Sequence, residues 1–261
     1  MKDLTRRQLH AISVAFYDAQ SSAFDASRAD LPWPGWDRLF PLLPEPRDAA
    51  IDVVLDIGCG NGRFAAALAA SGRRIDYTGT DASEGLLEAA RTRLGREFGS
   101  TDQGRLEWIA QDFLATEVPG ADLPDGPFSL VALMGVLHHV PSAAARAALL
   151  QSAAARVAPG GLLAITSWQF AGRARFEKRK VAWESIGPVL GESIDVADLD
   201  PGDTLLRFGD DPEAAPRYCH QVSPEEFEGW PSALGLETVA DFRADGAQGD
   251  LNRHWIARKP A

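Results

Sequence analysis

The sequence is short of cysteine, and this scarcity excludes two classes of protein. The chain carries two cysteines, Cys59 and Cys219, which are far apart and without Cys-x-x-Cys spacing. Small secreted scaffolds use more cysteines in disulfide frameworks, and structural zinc sites use closely spaced cysteine pairs. We therefore expect neither a disulfide scaffold nor a metal site, and a reducing compartment is the default.

Long apolar runs are absent as well. No stretch approaches the roughly 18 apolar residues that a membrane-spanning helix requires. The first residues, MKDLTRRQLHAISVAF, contain the acidic Asp3 and lack the small-residue cleavage site of a secretory signal. These features predict a cytoplasmic protein that does not enter a membrane.

Positive charge is the third shortage. The chain has 26 Lys and Arg against 37 Asp and Glu, which gives a formal net charge of −11. An acidic protein repels the phosphate backbone of nucleic acids, so any such contact needs a local basic patch. The densest run of cations is RARFEKRK, residues 173–180. It is typical of a solvated helix face, and phosphate contact is the alternative interpretation.

From residue 51 onward, short β-branched runs alternate with amphipathic segments. Strand-like runs lie at 51–57, 75–81, 105–112, 128–134 and 161–168, and helical segments lie at 62–71, at 83–98 and in the Ala-rich stretch after Pro141. This alternation predicts an α/β fold with a doubly wound parallel sheet and helices on both faces. The runs at 236–244 and 251–259 are joined by a short polar turn, which predicts a terminal antiparallel hairpin.

The same pattern divides the chain into four parts. Residues 46–168 form the predicted core, and residues 233–261 form the hairpin that completes its sheet. Residues 169–232, the cap segment, are charged, rich in Pro and Gly, and too poor in large apolar residues for a core of their own. Residues 1–45 include the aromatic stretch FDASRADLPWPGW and are predicted to form a lid over the site.

Polar and glycine residues follow five successive strands. In open parallel sheets, ligands bind beyond the carboxyl ends of the strands. In chain order these ends carry Asp56 with Gly58, Gly60 and Gly62; Asp81; Asp112 and Phe113; Gly135, His138 and His139; and Ser167 with Trp168. A purely structural sheet would not place glycine, acid, histidine or aromatic groups at every end, so we expect a ligand site there.

The chemistry of these ends identifies a ligand. A nicotinamide-binding turn would need a third glycine where Arg63 stands, which disfavours an oxidoreductase. Asp56 beside the turn favours an ammonium group over a pyrophosphate, and Asp81 can accept from both ribose hydroxyls. Asp112 can accept from an exocyclic adenine amine, with Phe113 stacking nearby. An amine, a ribose and an adenine without phosphates describe S-adenosylmethionine.

The motifs VLDIGCGNG, TDAS and QDF resemble the cofactor motifs of class I S-adenosylmethionine-dependent methyltransferases. The resemblance covers roughly residues 50–168. It implies a seven-stranded Rossmann-like sheet whose last strand is antiparallel. It also implies cofactor contacts from Gly58, Gly60, Asp81, Asp112 and Phe113, with Gly135 near the methionine part.

A narrower resemblance involves four segments: FYDAQSSAFDASRADLPWPGW, GVLHHVPSAAAR, RYCHQVSPEEFEGWPSALGLE and NRHWIARK. They are similar to segments of the eukaryotic tRNA wobble-uridine carboxymethyl methyltransferases. This implies a carboxylate acceptor on tRNA and a small zinc-binding activator protein as partner. A small-molecule O- or N-methyltransferase and a non-catalytic cofactor-binding module are the alternatives.

Four residues are candidates for catalysis, each with a structural alternative. Tyr17 could lie over the sulfonium methyl, or be a half-buried aromatic. Arg28 could grip a carboxylate, or form a surface ion pair. His138 follows a strand and is expected to have a polar role in the site. His220 beside Tyr218 could reach the substrate from the cap segment, or be an ordinary loop histidine.

Overall fold

The computed structural model describes residues 1–27, 33–43, 52–95, 104–187, 191, 193–209 and 214–261. Its helices are α1 Asp3–Ser27, α2 Pro34–Leu39, α3 Arg63–Ala70, α4 Glu84–Gly95, α5 Ala143–Arg156, α6 Ala174–Glu177 and α7 Pro224–Leu234. Its strands are β1 Asp52–Ile57, β2 Ile75–Asp81, β3 Gly104–Ala110, β4 Phe128–Met134, β5 Val157–Trp168, β6 Lys180–Val181, β7 Asp203–Arg207, β8 Pro216–His220, β9 Glu237–Ala244 and β10 Asn252–Arg258. Among these helices, none is long and apolar enough to cross a membrane.

Seven strands form the main sheet in the order β3-β2-β1-β4-β5-β10-β9. Strands β1 to β5 pair in parallel, and β10 pairs antiparallel with both β5 and β9. The predicted α/β sheet of seven strands with an antiparallel last strand is therefore confirmed. The carboxyl ends of β1, β2, β3, β4 and β5 meet at one edge, which is where the sequence predicts the site.

The central strands are apolar on both faces, as buried parallel strands require. In β1, Val54 packs in one core cluster and Leu55 in the other, because successive side chains point to opposite faces. Helix α3 covers the Val54 face, and α5 covers the Leu55 face. Phe227 and Trp230 of α7 also pack on the Leu55 face, although the sequence assigns most of that helix to the cap segment.

A second, antiparallel sheet has the order β6-β7-β8 and lies within the cap segment. The sequence predicts no separate core there, because the segment has few large apolar residues. The missing apolar surface comes from α1, whose Leu9 and Ile12 pack with Leu205 and Tyr218 of this sheet. The cap segment shares this core with α1, which lies almost 200 residues earlier, so the residues of the segment alone could not reveal it.

The buried side chain of Arg146 ties α5 to α7. Its guanidinium donates from Nε and Nη2 to the two carboxylate oxygens of Glu226, at 2.7 and 2.9 Å, and from Nη1 to the carbonyl of Val140 at 3.0 Å. Asp200 of the cap segment lies 3.7 Å from the same guanidinium. Arg146 is 1% exposed, so this ion pair is largely removed from water.

We expect Arg146→Ala to lower the free energy of unfolding by about 3 kcal/mol, because it leaves the partly buried Glu226 carboxylate without its cation. Urea denaturation measures this loss. Arg105→Ala is the matched control, since the Arg105 side chain is 79% exposed, and its effect should stay within about 0.5 kcal/mol. Equal effects of the two substitutions would contradict a stabilising role for the buried pair.

Candidate functional site

A cavity of about 960 Å³ lies at the predicted edge of the sheet. Helix α1, the start of α2, the strand ends and parts of the cap segment line it. The sequence-predicted residues on its wall are Tyr17, Asp56, Gly58, Gly60, Asp81, Asp112, Phe113, Gly135 and His138. Arg28 lies outside the described residues, and His220 is not on the cavity wall.

The glycine turn after β1 depends on left-handed backbone. Gly58 and Gly60 have φ of +71° and +55°, and a Cβ on Gly58 would lie 2.6 Å from a methyl of Val136. This geometry lets the Gly60 N–H donate to one carboxylate oxygen of Asp81 at 2.8 Å, while the Ser83 N–H donates to the other at 2.9 Å. The Asp81 carboxylate is thus held in place at the end of β2.

The charge state of Asp81 reflects two opposing effects. Burial raises the pKa of Asp81, whereas the hydrogen bonds from Ser83 and Gly60 act in the opposite direction. Each carboxylate oxygen has a second lone-pair site beyond its backbone donor. The residue can therefore still accept hydrogen bonds from a diol.

Asp56 is a buried carboxyl with one oxygen unused by the described residues. It is 1% exposed, and the Tyr77 hydroxyl donates to its Oδ2 at 2.5 Å. Its Oδ1 is buried without a hydrogen-bond partner. Burial raises the pKa of Asp56 to about 7, opposed by the Tyr77 hydrogen bond and reinforced by the charge of Asp81. An ammonium group would compensate this orphaned oxygen.

Asp112 already has a partner that no pattern in the sequence indicates. His10 of α1 lies with its Nε2 2.7 Å from Asp112 Oδ2, and the Leu114 N–H donates to Oδ1 at 3.0 Å. Burial favours the neutral acid, but the His10 contact and the backbone donors outweigh it and hold the pKa of Asp112 below its usual value. Any contact of Asp112 with an adenine amine has to use its remaining lone pairs.

A chain of hydrogen bonds crosses the cavity wall from α1 to β8. His139 Nδ1 lies 2.9 Å from the Tyr218 carbonyl, and His139 Nε2 lies 2.8 Å from the Tyr17 hydroxyl. A carbonyl only accepts, so Nδ1 carries the proton, and in the neutral ring Nε2 is then the acceptor for Tyr17. The His138 ring packs 4.0 Å from that of His139 and 5.3 Å from Trp168.

Residues 54–161 match the family model described as a methyltransferase domain. An uncharacterised methyltransferase of Mycobacterium tuberculosis is 31% identical over 176 residues, which are 61% of this chain and 79% of that protein. The chain belongs to the class I S-adenosylmethionine-dependent methyltransferases. It is an enzyme, and its cofactor is S-adenosylmethionine.

Two further comparisons place this methyltransferase among its relatives. A ubiquinone biosynthesis O-methyltransferase of Xylella fastidiosa is 34% identical over 114 residues, 44% of this chain and 41% of that protein. The crystal structure of a 1,6-didemethyltoxoflavin-N1-methyltransferase from Burkholderia thailandensis aligns with a TM-score of 0.64. That alignment covers 98% of this chain and 91% of the other at 18% identity, which shows a common fold.

The site of this methyltransferase fits the cofactor on structural grounds. The glycine turn admits close approach of a ligand to its backbone, Asp81 is fixed and retains acceptor sites, and Asp56 has a buried oxygen without a partner. The contacts of individual residues with the cofactor remain predictions from the sequence. So does the role of Arg28.

His220 has a different position from the predicted one. It is 2% exposed, and its Nδ1 lies 2.7 Å from Asp203 Oδ1, which also accepts from the Tyr218 hydroxyl at 2.7 Å. The ring lies in the interior beside the Arg146–Glu226 pair, 3.9 Å from Glu226. In this arrangement His220 contacts Asp203 within the second sheet, and its ring is not on the cavity wall.

A second buried histidine, His254, belongs to a cluster that the sequence did not suggest. Its Nε2 lies 2.7 Å from Asp245 Oδ2, which also accepts from Asn252 Nδ2 at 2.8 Å. The other oxygen of Asp245 accepts from the Gly35 N–H at 2.8 Å, and this fixes the start of α2 against the sheet. Burial opposes ionisation, but these three donors hold the pKa of Asp245 below its usual value.

Asp81→Ala should weaken S-adenosylmethionine binding at least tenfold, because hydrogen bonds to a charged acceptor contribute about 1.5–3 kcal/mol each. Titration calorimetry measures the affinity. Asp76→Ala, near the other end of β2, is the matched control and should bind as the wild type does. Unchanged affinity in Asp81→Ala would remove the ribose assignment.

Asp56→Asn should change the pH dependence of stability. The folded pKa of about 7 is above the unfolded value of 3.8, so the folded wild type takes up a proton that the unfolded chain lacks. The contribution of Asp56 to stability is therefore highest below pH 4 and falls as pH rises through 7, whereas the neutral side chain of the Asp56→Asn variant has no such loss.

Between pH 4 and pH 8, the free energy of unfolding of the variant should rise by on the order of 4 kcal/mol relative to that of the wild type. This figure follows from 1.36 kcal/mol per unit of pKa shift. Urea denaturation of the cofactor-free proteins at both pH values tests this, with Asp76→Asn as control. A stability difference that is constant with pH would show that folding does not raise the pKa of Asp56.

Proposed function

We propose that this methyltransferase methylates an oxygen or nitrogen atom of a small molecule bound inside the cavity. The observation that carries the proposal is the cavity itself, about 960 Å³ bounded by the strand ends, α1 and the cap segment. Small-molecule sites typically occupy about 300–1,000 Å³. The volume is at the upper end of that range, as expected for a cofactor together with a small acceptor.

The names of the relatives support this proposal. The Xylella fastidiosa protein is named as an O-methyltransferase of ubiquinone biosynthesis. The Burkholderia thailandensis enzyme was solved with 1,6-didemethyltoxoflavin and S-adenosylhomocysteine bound. Both names describe methylation of small molecules.

A tRNA acceptor, the finer prediction from the sequence, has less support. That prediction came from the resemblance of four segments, and it requires the cations of residues 173–180 to act as a phosphate-binding patch. Arg173 is paired with Asp250 and Lys180 with Glu177, each at 2.8 Å. Arg175 and Arg179 line the cavity. The run thus offers few cations to a phosphate backbone, and nothing in the described chain argues for the activator protein.

The bound cofactor supplies an electrophilic methyl group, and the residues of this chain orient the acceptor, exclude water and accept its proton. Helices α1 and α2 cover the cavity as the proposed lid. We assign proton acceptance to the Tyr17–His139 pair. When an acceptor hydroxyl gives its proton to the Tyr17 oxygen, Tyr17 passes its own to His139 Nε2. The carbonyl of Tyr218 then stabilises the imidazolium through Nδ1–H.

The proposal predicts where a labelled methyl group goes. Protein incubated with radiolabelled S-adenosylmethionine should label compounds in a metabolite extract and leave total tRNA unlabelled in a parallel reaction. In the same assay Tyr17→Phe, which removes only the hydroxyl, should lower the rate about 100-fold for a hydroxyl acceptor. Label in tRNA and none in the extract would reverse the assignment in favour of the tRNA acceptor.

A further inference from the structure

Arg217 of β8 is a buried cation on the cavity wall without a carboxylate partner. Its side chain lines the cavity and the residue is 6% exposed. Within the described part of the chain, no acid lies within ion-pair distance of it, and its buried Nε has no hydrogen-bond partner. The thiol of Cys219 is its one polar side-chain contact there.

Aromatic rings surround the Arg217 guanidinium. Its Cζ lies 5.1 Å from the ring centre of Trp168, 5.5 Å from that of Phe16 and 5.7 Å from that of Phe208. The faces of aromatic rings attract cations, which offsets part of the cost of burial. Rings neither neutralise the charge nor accept all five N–H groups of a guanidinium. Buried charges in proteins are otherwise paired, so this one is available to an anion that enters the cavity.

Two further arginines of the cap segment, Arg175 and Arg179, line the same cavity. Burial lowers the pKa of Arg175, and the neighbouring charges of Arg179 and Arg173 lower it further. Like Arg175 and Arg179, Arg217 comes from the cap segment, whereas a fourth arginine of the wall, Arg63, comes from α3. Four carboxylates of the wall come from the main sheet or from the loops at its edge, and each already has hydrogen-bond partners. Asp56 is bonded to Tyr77, and Asp112 to His10. Asp81 accepts from Gly60 and Ser83, and Asp245 is bonded to His254, Asn252 and Gly35.

We propose that the acceptor is a small aromatic carboxylate and that Arg217 binds its carboxylate group. This inference rests on the proposed small-molecule activity and specifies the substrate class. The planar guanidinium matches a carboxylate through two parallel hydrogen bonds. Trp168, Phe176 and Phe208 line the same part of the cavity and suit a flat apolar body. The more exposed Arg175 and Arg179 would attract the anion on its way in.

Two matched pairs of probes test the binding site directly: benzoate against benzamide, and 2-naphthoate against 2-naphthamide. Each amide has nearly the shape of its acid without the charge. Titration into the full chain saturated with S-adenosylhomocysteine should show at least tenfold tighter binding of the acid. Arg217→Met keeps the length and the packing against the rings but removes the charge, and it should abolish this preference. Arg217→Lys should retain part of it.

Two controls separate binding from folding. Arg105→Gln removes one exposed positive charge on β3 and should keep the preference for the acid. The thermal midpoint of ligand-free Arg217→Met should be no lower than that of the wild type, because the variant loses a buried, unpaired charge. A lower midpoint together with an unchanged preference for the acid would make Arg217 purely structural and overturn the proposal. Equal binding of acid and amide in both pairs would overturn it too.

A second arm separates this inference from the proposed function. The metabolite extract is divided by anion exchange before the labelling assay, and label should enter the anionic fraction and be lost in Arg217→Met. Label confined to the neutral fraction would leave the proposed function standing and reject the carboxylate. Label in neither fraction would reject the proposed function, while the acid and amide titrations still decide whether Arg217 binds anions.

Discussion

The packing of α1 on the second sheet is the contact on which the site depends. Thr5, Leu9, Ile12, Ser13 and Phe16 are spaced along one face of the helix and are buried. That face supplies the core that the cap segment lacks. Once it is seated, the adjoining residues of the helix reach the main sheet, where His10 meets Asp112 and Tyr17 meets His139.

The far end of the same helix is fixed to the cofactor edge. Asp25 accepts from Asn61 Nδ2 at 2.7 Å and from Arg93 at 2.9 Å, which links α1 to the glycine turn and to α4. At the near end, Lys2 is paired with Asp195 at 2.8 Å. The helix therefore spans the molecule from the cap segment to the cofactor side and forms one wall of the cavity along its length.

The main sheet and its carboxyl edge could be predicted because residues that are adjacent in the sequence determine them. Apolar runs mark the strands, and Asp56, Asp81 and the glycines follow the strands directly, so the sheet alone brings them together. Partners that come from distant elements could not be predicted in this way. His10, Arg217 and Asp245 reach the cavity only through tertiary packing, and no spacing in the sequence links them to the strand ends.

The two histidines singled out by the sequence show the same limit. His138 follows β4, and its strand position alone places it at the cavity. His220 lies on β8, where residues on alternate faces see either the cavity or the interior, and neighbouring residues in the sequence do not say which. Arg217 and His220 are three positions apart and therefore point to opposite faces of the strand. The Arg217 side chain lies on the cavity face of β8, and the His220 side chain lies on the interior face.

The separate origin of the cavity's two halves has a consequence for how this enzyme could change over evolutionary time. Asp56 and Asp81, the carboxylates predicted to meet the cofactor, come from the main sheet, and three of the wall's arginines, Arg175, Arg179 and Arg217, come from the cap segment. If the arginines bind the acceptor as proposed, substitutions at Arg175, Arg179 or Arg217 would change the acceptor specificity and leave the residues at the strand ends of the main sheet unaltered. Helix α1 has no such freedom, since its residues serve both halves at once. New acceptor specificities should therefore arise through substitutions in the cap segment, while the residues of α1 stay unchanged.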